Sequence, residues 1–358
     1  MYDLHCLNKY SLSGRLRGRK YYTTLNSSGS EKHSNNSIFW SLLARYELNN
    51  KNSEMIPVII DTARCSGCGL CVDVCPYKAL IVREGTASYI LEDCFSCGHC
   101  QSVCPEYAIV LPGLSQPTEQ FCFRDSNTKA DEEILGAGPL VSLMANRRSC
   151  RNYKKKEVPL KTLEDLVQIA ITAPSGTNCQ PWGFIILPCR DDLFCFGILV
   201  GNYFKKLNRL AESWWLRSAT GLFAGGGLAR YYHNHYESVK EALRDWDEKG
   251  EDRLFHGAQA AIIVTAKKDA SCPGEDAMLA SQNILLAAHS MGLGTCLIGF
   301  AVEAMRRDKV IRKKLTIPED EEIYAVIAIG YPRISYIRPA GRKKVIARVF
   351  RFDKKMEN

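Results

Sequence analysis

The chain has 358 residues, of which 46% are hydrophobic and 24% charged, and its formal net charge is +8. These values are ordinary for a globular protein and leave room for two or three domains. Its apolar runs are too short for a membrane span and its start lacks the apolar core of a secretory signal, so we predict a cytoplasmic protein without a membrane partner. The positive charge comes without a nucleic-acid-binding motif, so no nucleic-acid partner is predicted.

Residues 1–54 are polar and rich in Ser, Asn, Lys and Arg, which predicts a disordered N-terminal extension. Met55 stands directly before the first strand-like run, at residues 56–60, and is a candidate for the natural start. The sequence assigns no role to the extension.

Two matching blocks of cysteines follow, and their spacing is Cys-x2-Cys-x2-Cys-x3-Cys-Pro in both. The cysteines are Cys65, Cys68, Cys71 and Cys75 in the first block and Cys94, Cys97, Cys100 and Cys104 in the second. Three thiolates at this spacing can wrap one loop around three iron corners of a cubane, and the fourth corner needs a ligand from elsewhere. A zinc site is the alternative, but zinc prefers CxxC pairs to a threefold run, so the repeat favours iron–sulfur clusters.

This double run resembles the bacterial two-[4Fe–4S] ferredoxins over roughly residues 56–112, and we predict a ferredoxin domain at 55–112. In that family the fourth cysteine of each run ligates the other cluster. The resemblance therefore implies that Cys65, Cys68, Cys71 and Cys104 hold the first cluster. The second cluster would be held by Cys94, Cys97, Cys100 and Cys75.

Residues 113–137 read as a linker, and a larger α+β domain is predicted at 138–358. Helices are predicted at about 139–147, 160–172, 275–291 and 302–315, and buried strands at about 182–187, 260–266 and 323–330. Residues 190–254 are predicted to be helical and rich in aromatic residues. Because the chain lacks a glycine-rich strand-to-helix turn, a doubly wound dinucleotide-binding fold is not favoured.

Four segments of this domain carry its chemistry. The first is the run Arg147-Arg148-Ser149-Cys150-Arg151, whose guanidinium forks and hydroxyl suit a phosphate. The others are the Pro-Ser-Gly-Thr-Asn-Cys-Gln-Pro-Trp run at 174–182, the Gly-Leu-Gly run that opens 292–299, and the apolar run at 325–332. In order and character, these segments resemble the nitroreductase family of FMN flavoproteins over about residues 138–350.

The resemblance implies a three-layer α+β fold with a central mixed sheet, and a homodimer with both FMN sites between the subunits. The residues implied to hold the FMN phosphate are Arg147, Arg148, Ser149, Arg151, Arg342 and Lys343 or Lys344. Those implied to reach the flavin from the other subunit are Ser175, Thr177, Asn178 and Gln180. Backbone groups of Ile298 and Gly299 would approach the flavin ring, and Gly292 and Gly294 would let the backbone come close to a planar ligand. No side chain is predicted to be catalytic, because FMN carries the chemistry.

Together, the two resemblances predict an FMN-dependent oxidoreductase of nitroreductase type with two [4Fe–4S] clusters. Electrons would come from an external ferredoxin-type donor, from NAD(P)H as co-substrate, or from both, and would reduce small acceptors such as nitroaromatics or quinones. Two alternatives stay open. One is another reaction on the same flavin, such as ene reduction or reductive dehalogenation, since residues 190–254 would shape the substrate pocket. The other is a non-catalytic electron carrier.

Overall fold

The computed structural model describes residues 58–90, 94, 96–112, 114, 136–223 and 227–351, so the predicted extension and almost all of the predicted linker lie outside the described residues. The chain forms two compact units. The first comprises Met1–Glu119, Pro174–Pro181 and Lys267–Asp276, and the second comprises Gln120–Ala173, Trp182–Ala266 and Ala277–Asn358. Among the helices of the described ranges, none combines the length and apolar character that a membrane crossing requires.

The cysteine-rich part of the first unit consists of very short elements. They are β1 (Ile59–Ile60), α1 (Leu70–Asp73), β2 (Leu80–Arg83), β3 (Thr86–Tyr89), α2 (His99–Val103) and β4 (Ile109–Val110). Strand β1 pairs antiparallel with β4, and β2 pairs antiparallel with β3. The buried core is small and includes Leu80, Ile109 and Leu111 together with Cys71 and Cys100. So small a core supplies little stability, and metal ligation is expected to contribute much of it.

The second unit is built on a four-stranded sheet. In chain order its elements are α3 (Ala137–Asn146), α4 (Leu160–Ala170), β5 (Trp182–Leu187), α5 (Arg190–Glu212), α6 (Trp214–Phe223), α7 (Gly227–Asn234), α8 (Tyr236–Lys249), β6 (Ala260–Lys267), α9 (Pro273–Ser290), β7 (Gly294–Leu297), α10 (Gly299–Arg307), α11 (Lys309–Lys314) and β8 (Glu321–Gly330). Lys267 and the first turn of α9 belong to the first unit. The strand order is β5-β6-β8-β7, and β5 pairs antiparallel with β6, as β7 does with β8.

Both faces of this sheet are covered by helices. Along β6, Ile263 packs in a core that contains residues of α5 and α10, and its neighbours Ile262 and Val264 pack in a second core with residues of α4 and α9. All three side chains are fully buried. Successive strand residues point to opposite faces, so a continuous apolar run is what a strand buried on both sides requires. The predicted three-layer α+β architecture is confirmed.

Most elements lie where the pattern placed them, but one helix prediction was wrong. The strand expected at 182–187 is found at those residues, whereas the helix expected at 302–315 is two helices, α10 and α11. Asp308 separates them in extended conformation, and its carboxylate accepts a hydrogen bond from the Val310 N–H at 2.7 Å. Asp is a preferred N-cap, so a new helix starts there.

Gly67 of the first cysteine loop makes the tightest backbone approach in the ferredoxin part. Its φ is +68°, and a Cβ atom at this position would overlap the Gly85 carbonyl oxygen in the β2–β3 turn. Gly69 also has positive φ, +82°, but open space surrounds it.

We therefore expect Gly67→Ala to lower the free energy of unfolding by about 1 to 3 kcal/mol more than Gly69→Ala, because both pay the cost of left-handed backbone but only the first adds a clash. Thermal unfolding of the two variants under anaerobic conditions measures this difference. Equal losses of unfolding free energy in the two variants would show that the close approach of Gly67 to Gly85 does not matter for stability.

Candidate functional site

The eight cysteines of the repeat line two small cavities in the first unit. One is lined by Cys65, Cys68, Cys71 and Cys104. The other is lined by Cys75, Cys94, Cys97 and Cys100. Each cavity therefore has three thiols from one run and the fourth thiol of the other run, which is the crossed grouping that the ferredoxin resemblance implies. Four thiols around a small cavity with apolar walls are a donor set that fits a [4Fe–4S] cluster.

Backbone N–H groups point at the sulfur atoms in both halves of the repeat. The N–H groups of Ala79 and Ala108 each donate to the Sγ of the cysteine four residues before, Cys75 and Cys104, at 3.3 Å. The Ala87 N–H donates to Cys65 Sγ at 3.3 Å. Such bonds stabilise negative charge on the sulfur and raise the reduction potential of a bound cluster.

Burial makes two of these thiols hard to ionise without metal. It raises the pKa of Cys100 to about 11, with a further contribution from the neighbouring Cys97 and Cys94. Burial likewise raises the pKa of Cys71, and Cys65 close by adds to the effect. Because cluster ligands are thiolates, iron binding must displace these protons, so assembly of the site releases protons to solvent.

In the second unit, several cationic side chains of the predicted phosphate motif lie close together. Arg147 follows α3, and its pKa is lowered by burial and by the nearby guanidinium groups of Arg148 and Arg342. Ser149 forms a parallel bridge with Thr295 of β7, which fixes the motif against the sheet. Like charges held together in a half-buried place fit an anion, and a phosphate dianion suits the guanidinium forks. Lys343 is exposed next to Arg342 in the chain.

The turn from β7 into α10 holds the residues implied to approach the flavin ring. The Ile298 N–H donates to the Val326 carbonyl at 2.8 Å, so that donor is engaged within the unit. Gly299 begins α10, where the first N–H groups of a helix have no partner inside it. The Gly299 N–H is therefore the better donor for a ligand at this turn.

Each of the two glycines before this turn has a reason within the fold itself. Gly292 has φ of +75° and follows the end of α9. A Cβ at Gly294 would lie 2.7 Å from the Cβ of Cys150, so this glycine lets the arginine-rich motif pack on β7. The close contact that requires glycine at position 294 is therefore the contact with Cys150.

A cavity of about 1020 Å³ opens beside the same turn. Its aromatic lining comes from α5, α7 and α10 and includes Tyr203, Phe204, Tyr231 and Phe300. Arg151 and His256 also line it. Burial lowers the pKa of His256, partly opposed by Asp252 and reinforced by Arg151, so a neutral imidazole is favoured there. A cavity of this size and composition fits a small aromatic molecule.

The family resemblance implied that residues 190–254 shape the substrate pocket, but the sequence could not say which of their aromatic residues line it, because each read equally well as core. Some are core, since Phe196 is buried and stacks obliquely on Phe255. Trp214 and Trp215 are instead exposed, at 71% and 59%. The position of Tyr231 in the lining, where its hydroxyl donates to Asn208 Oδ1 at 2.6 Å, depends on how α5, α7 and α10 pack and has no signature in the sequence.

Residues 174–181 form a compact loop of the first unit. The loop contains the four residues implied to reach the flavin, which are Ser175, Thr177, Asn178 and Gln180. The Gln180 N–H donates to Ser175 Oγ at 3.0 Å, and Thr177 Oγ1 donates to the Gly176 carbonyl at 2.7 Å. Asn178 Nδ2 donates to the carbonyl of Ser96 at 2.6 Å. The hydroxyls of Ser175 and Thr177 thus hold the loop together, and the contact of Asn178 was not foreseen.

Comparison with known proteins adds to this geometry. A model of the nitroreductase family matches residues 144–331, which is more than half of the chain. The chain belongs to the nitroreductase family. Residues 57–105 match a 4Fe-4S dicluster domain, so the predicted fusion of the two is confirmed.

Proteins named for different activities are similar to this chain. A 4-nitrobenzoate reductase of Nocardioides sp. is 27% identical over 230 residues, 57% of this chain and 88% of the relative. An iodotyrosine deiodinase of Haliscomenobacter hydrossis is 37% identical over 220 residues, 60% of this chain and 88% of the relative. A solved nitroreductase with bound FMN from Bacteroides fragilis aligns with 60% of this chain and 98% of its own at 19% identity, with a TM-score of 0.41.

Membership of the nitroreductase family and the dicluster match together confirm the predicted class and cofactors. The protein is an FMN-dependent oxidoreductase, and its cofactors are FMN and two [4Fe–4S] clusters. The arginine cluster of the second unit and the two sets of four thiols fit these groups chemically.

Proposed function

We propose that this member of the nitroreductase family receives electrons through two [4Fe–4S] clusters and delivers them through FMN to a small oxidised acceptor. The observation that carries the proposal is the presence, on one chain, of two four-thiol cavities and a separate cluster of arginines suited to a phosphate. The four thiols of each cavity are the proposed cluster ligands. The proposed domains are 55–112 for the clusters and 138–358 for the flavin, joined by 113–137.

The chain's own residues bind and orient the flavin, which supplies the electron-transfer chemistry when bound. Arg147, Arg148, Ser149, Arg151 and Arg342 are proposed to hold its phosphate, with Lys343 beside them. The Gly299 N–H is proposed to donate to the ring edge, and Ser175, Thr177, Asn178 and Gln180 are proposed to line the ring from a second subunit.

A homodimer is proposed for the assembly. Apolar side chains of the segment 333–351 support it, because Ile337, Val345, Ile346 and Val349 are each at least 80% exposed in the single chain. A row of exposed apolar residues this long is expected to be covered by another surface.

The proposed acceptors are aromatic, with nitroaromatics and quinones first. The aromatic lining of the 1020 Å³ cavity supports a flat ring as the occupant. Reductive dehalogenation is the second candidate, favoured by the deiodinase relative at 37% identity. The proposed donors are a reduced ferredoxin-type protein that feeds the clusters and NAD(P)H that reduces the flavin.

Anaerobic turnover of the protein with all its cofactors tests the proposal. Reduced ferredoxin and NADPH are each offered with 4-nitrobenzoate and with 3-iodotyrosine, and products are separated by chromatography. We expect loss of the nitro compound with at least one donor. Protein that holds both clusters and flavin but consumes neither substrate with either donor would instead be an electron carrier, and release of iodide without nitro reduction would select dehalogenation.

A further inference from the structure

Asn178 makes a contact that the flavin role does not require. Its amide Nδ2 donates a hydrogen bond of 2.6 Å to the carbonyl oxygen of Ser96. Ser96 lies between Cys94 and Cys97 in the second cysteine run. The loop of Asn178 and this run belong to the same compact unit. One side chain of the predicted flavin loop is thus bonded to the backbone that surrounds the second four-thiol cavity.

Ser96 uses both of its backbone polar groups. Its N–H donates to the Sγ of Cys94 at 3.4 Å, and its carbonyl accepts from Asn178. Its φ is +54°, a left-handed conformation that is unfavourable for residues other than glycine. A hydrogen bond that holds this conformation also keeps the N–H aimed at the sulfur.

The first cysteine run solves the same geometric problem in a different way. The residue that corresponds to Ser96, two positions after the first cysteine of the run, is Gly67. It has φ of +68°, and glycine adopts this conformation without steric cost. The second run has a serine at this position, and Asn178 supplies the support that a glycine would make unnecessary.

The loop that carries Asn178 is itself firmly held. The Gly176 N–H donates to Oδ1 of Asp276 at 2.9 Å, and that residue is only 2% exposed. Three loop residues, Thr177, Asn178 and Gln180, have positive φ, so the hydrogen bonds around them hold a strained backbone in one shape. A side chain on such a loop can position a partner, because it has little freedom to follow that partner's movements.

We propose that Asn178 is a positioning residue for the second cluster, which ties the loop at 174–181 to the second cysteine run and keeps the Ser96 N–H aimed at Cys94 Sγ. This inference rests on the proposed ligation of that cluster by Cys94.

Two variants of the full-length protein, Asn178→Asp and Asn178→Ala, test the proposal. The aspartate keeps the shape of the side chain but sets a carboxylate against the Ser96 carbonyl, and the alanine removes the donor. The readout is a redox titration followed by electron paramagnetic resonance, which reports each cluster. In both variants we expect the potential of the second cluster to fall, because the bond to Cys94 Sγ weakens. The first cluster should keep its potential.

Asn202→Ala, at an exposed position of α5, is the matched control and should behave as the unaltered protein. Ser96 provides the rescue. Ser96→Gly combined with Asn178→Ala should restore the potential of the second cluster, since glycine adopts positive φ unaided. Unchanged cluster potentials in both Asn178 variants, or a lowered potential that Ser96→Gly fails to restore, would overturn the positioning role. Failure of the proposed function is distinguished by the unaltered protein, which would then hold its clusters and flavin but reduce no acceptor.

Discussion

Replacement of Cys97 by serine is expected to reduce the iron content of anaerobically purified protein from about eight to about four atoms per chain. Cys97 lines the second cavity with Cys75, Cys94 and Cys100, so the change leaves three thiols where a cubane needs four. The other cavity keeps its four thiols, and its cluster should remain. Iron and acid-labile sulfide assays measure the loss, and electron paramagnetic resonance shows which signal disappears.

The same measurement also tests the crossed ligation, in which the fourth cysteine of each run binds the other cluster. Cys75 belongs to the first run in sequence but lines the second cavity, so Cys75→Ser should remove the same signal as Cys97→Ser and not the signal that Cys68→Ser removes. The control is Cys189→Ser, because Cys189 is half-buried, lies outside the repeat and donates to Asp192 Oδ2 at 3.1 Å, which a hydroxyl can also do. A Cys75 variant that loses the signal lost by Cys68→Ser would contradict the crossed ligation.

Replacement of Arg147 by methionine is expected to weaken FMN binding about tenfold to a hundredfold. The guanidinium is half-buried beside those of Arg148 and Arg342, and a charge-assisted hydrogen bond to a phosphate contributes about 1.5–3 kcal/mol. Methionine keeps much of the apolar stem of the side chain and removes the charge. Titration of flavin-free protein, followed by quenching of flavin fluorescence, gives the dissociation constants.

Riboflavin is the matched ligand for this test, because it has the same ring without the phosphate. Arg147→Met should leave riboflavin binding nearly unchanged, and Arg209→Met, at an exposed position of α5, should change neither ligand. Equal loss of FMN and riboflavin affinity would show that Arg147 supports the fold of the site and does not bind the phosphate.

Features that depend on neighbouring residues in the chain could be predicted from the sequence. The spacing of the cysteines determines the geometry of the ligand loop, so the four-thiol sites could be predicted. The apolar run of β6 predicts a strand buried on both faces. Even the break at Asp308 had a local signal, since aspartate is a strong N-cap, but the apolar spacing through 302–315 concealed it.

Contacts between segments that are far apart in the sequence could not be predicted. Asn178 bonds to a residue 82 positions away, and nothing in either segment specifies the other. Gly294 was assigned to ligand approach because glycine permits any close contact, and only the fold shows that Cys150 is the neighbour. The cavity beside α10 depends on the packing of three helices whose aromatic residues suit core and pocket equally.

The central claim is that two clusters and a flavin on one chain form a single electron-transfer system, and counting electrons tests it most directly. Fully reduced protein, freed of reductant, is titrated anaerobically with 4-nitrobenzoate while the absorption of flavin and clusters is followed. We predict that about four electrons per chain reach the acceptor, two from the flavin and one from each cluster. Delivery of only about two electrons, with both clusters left reduced, would contradict the claim.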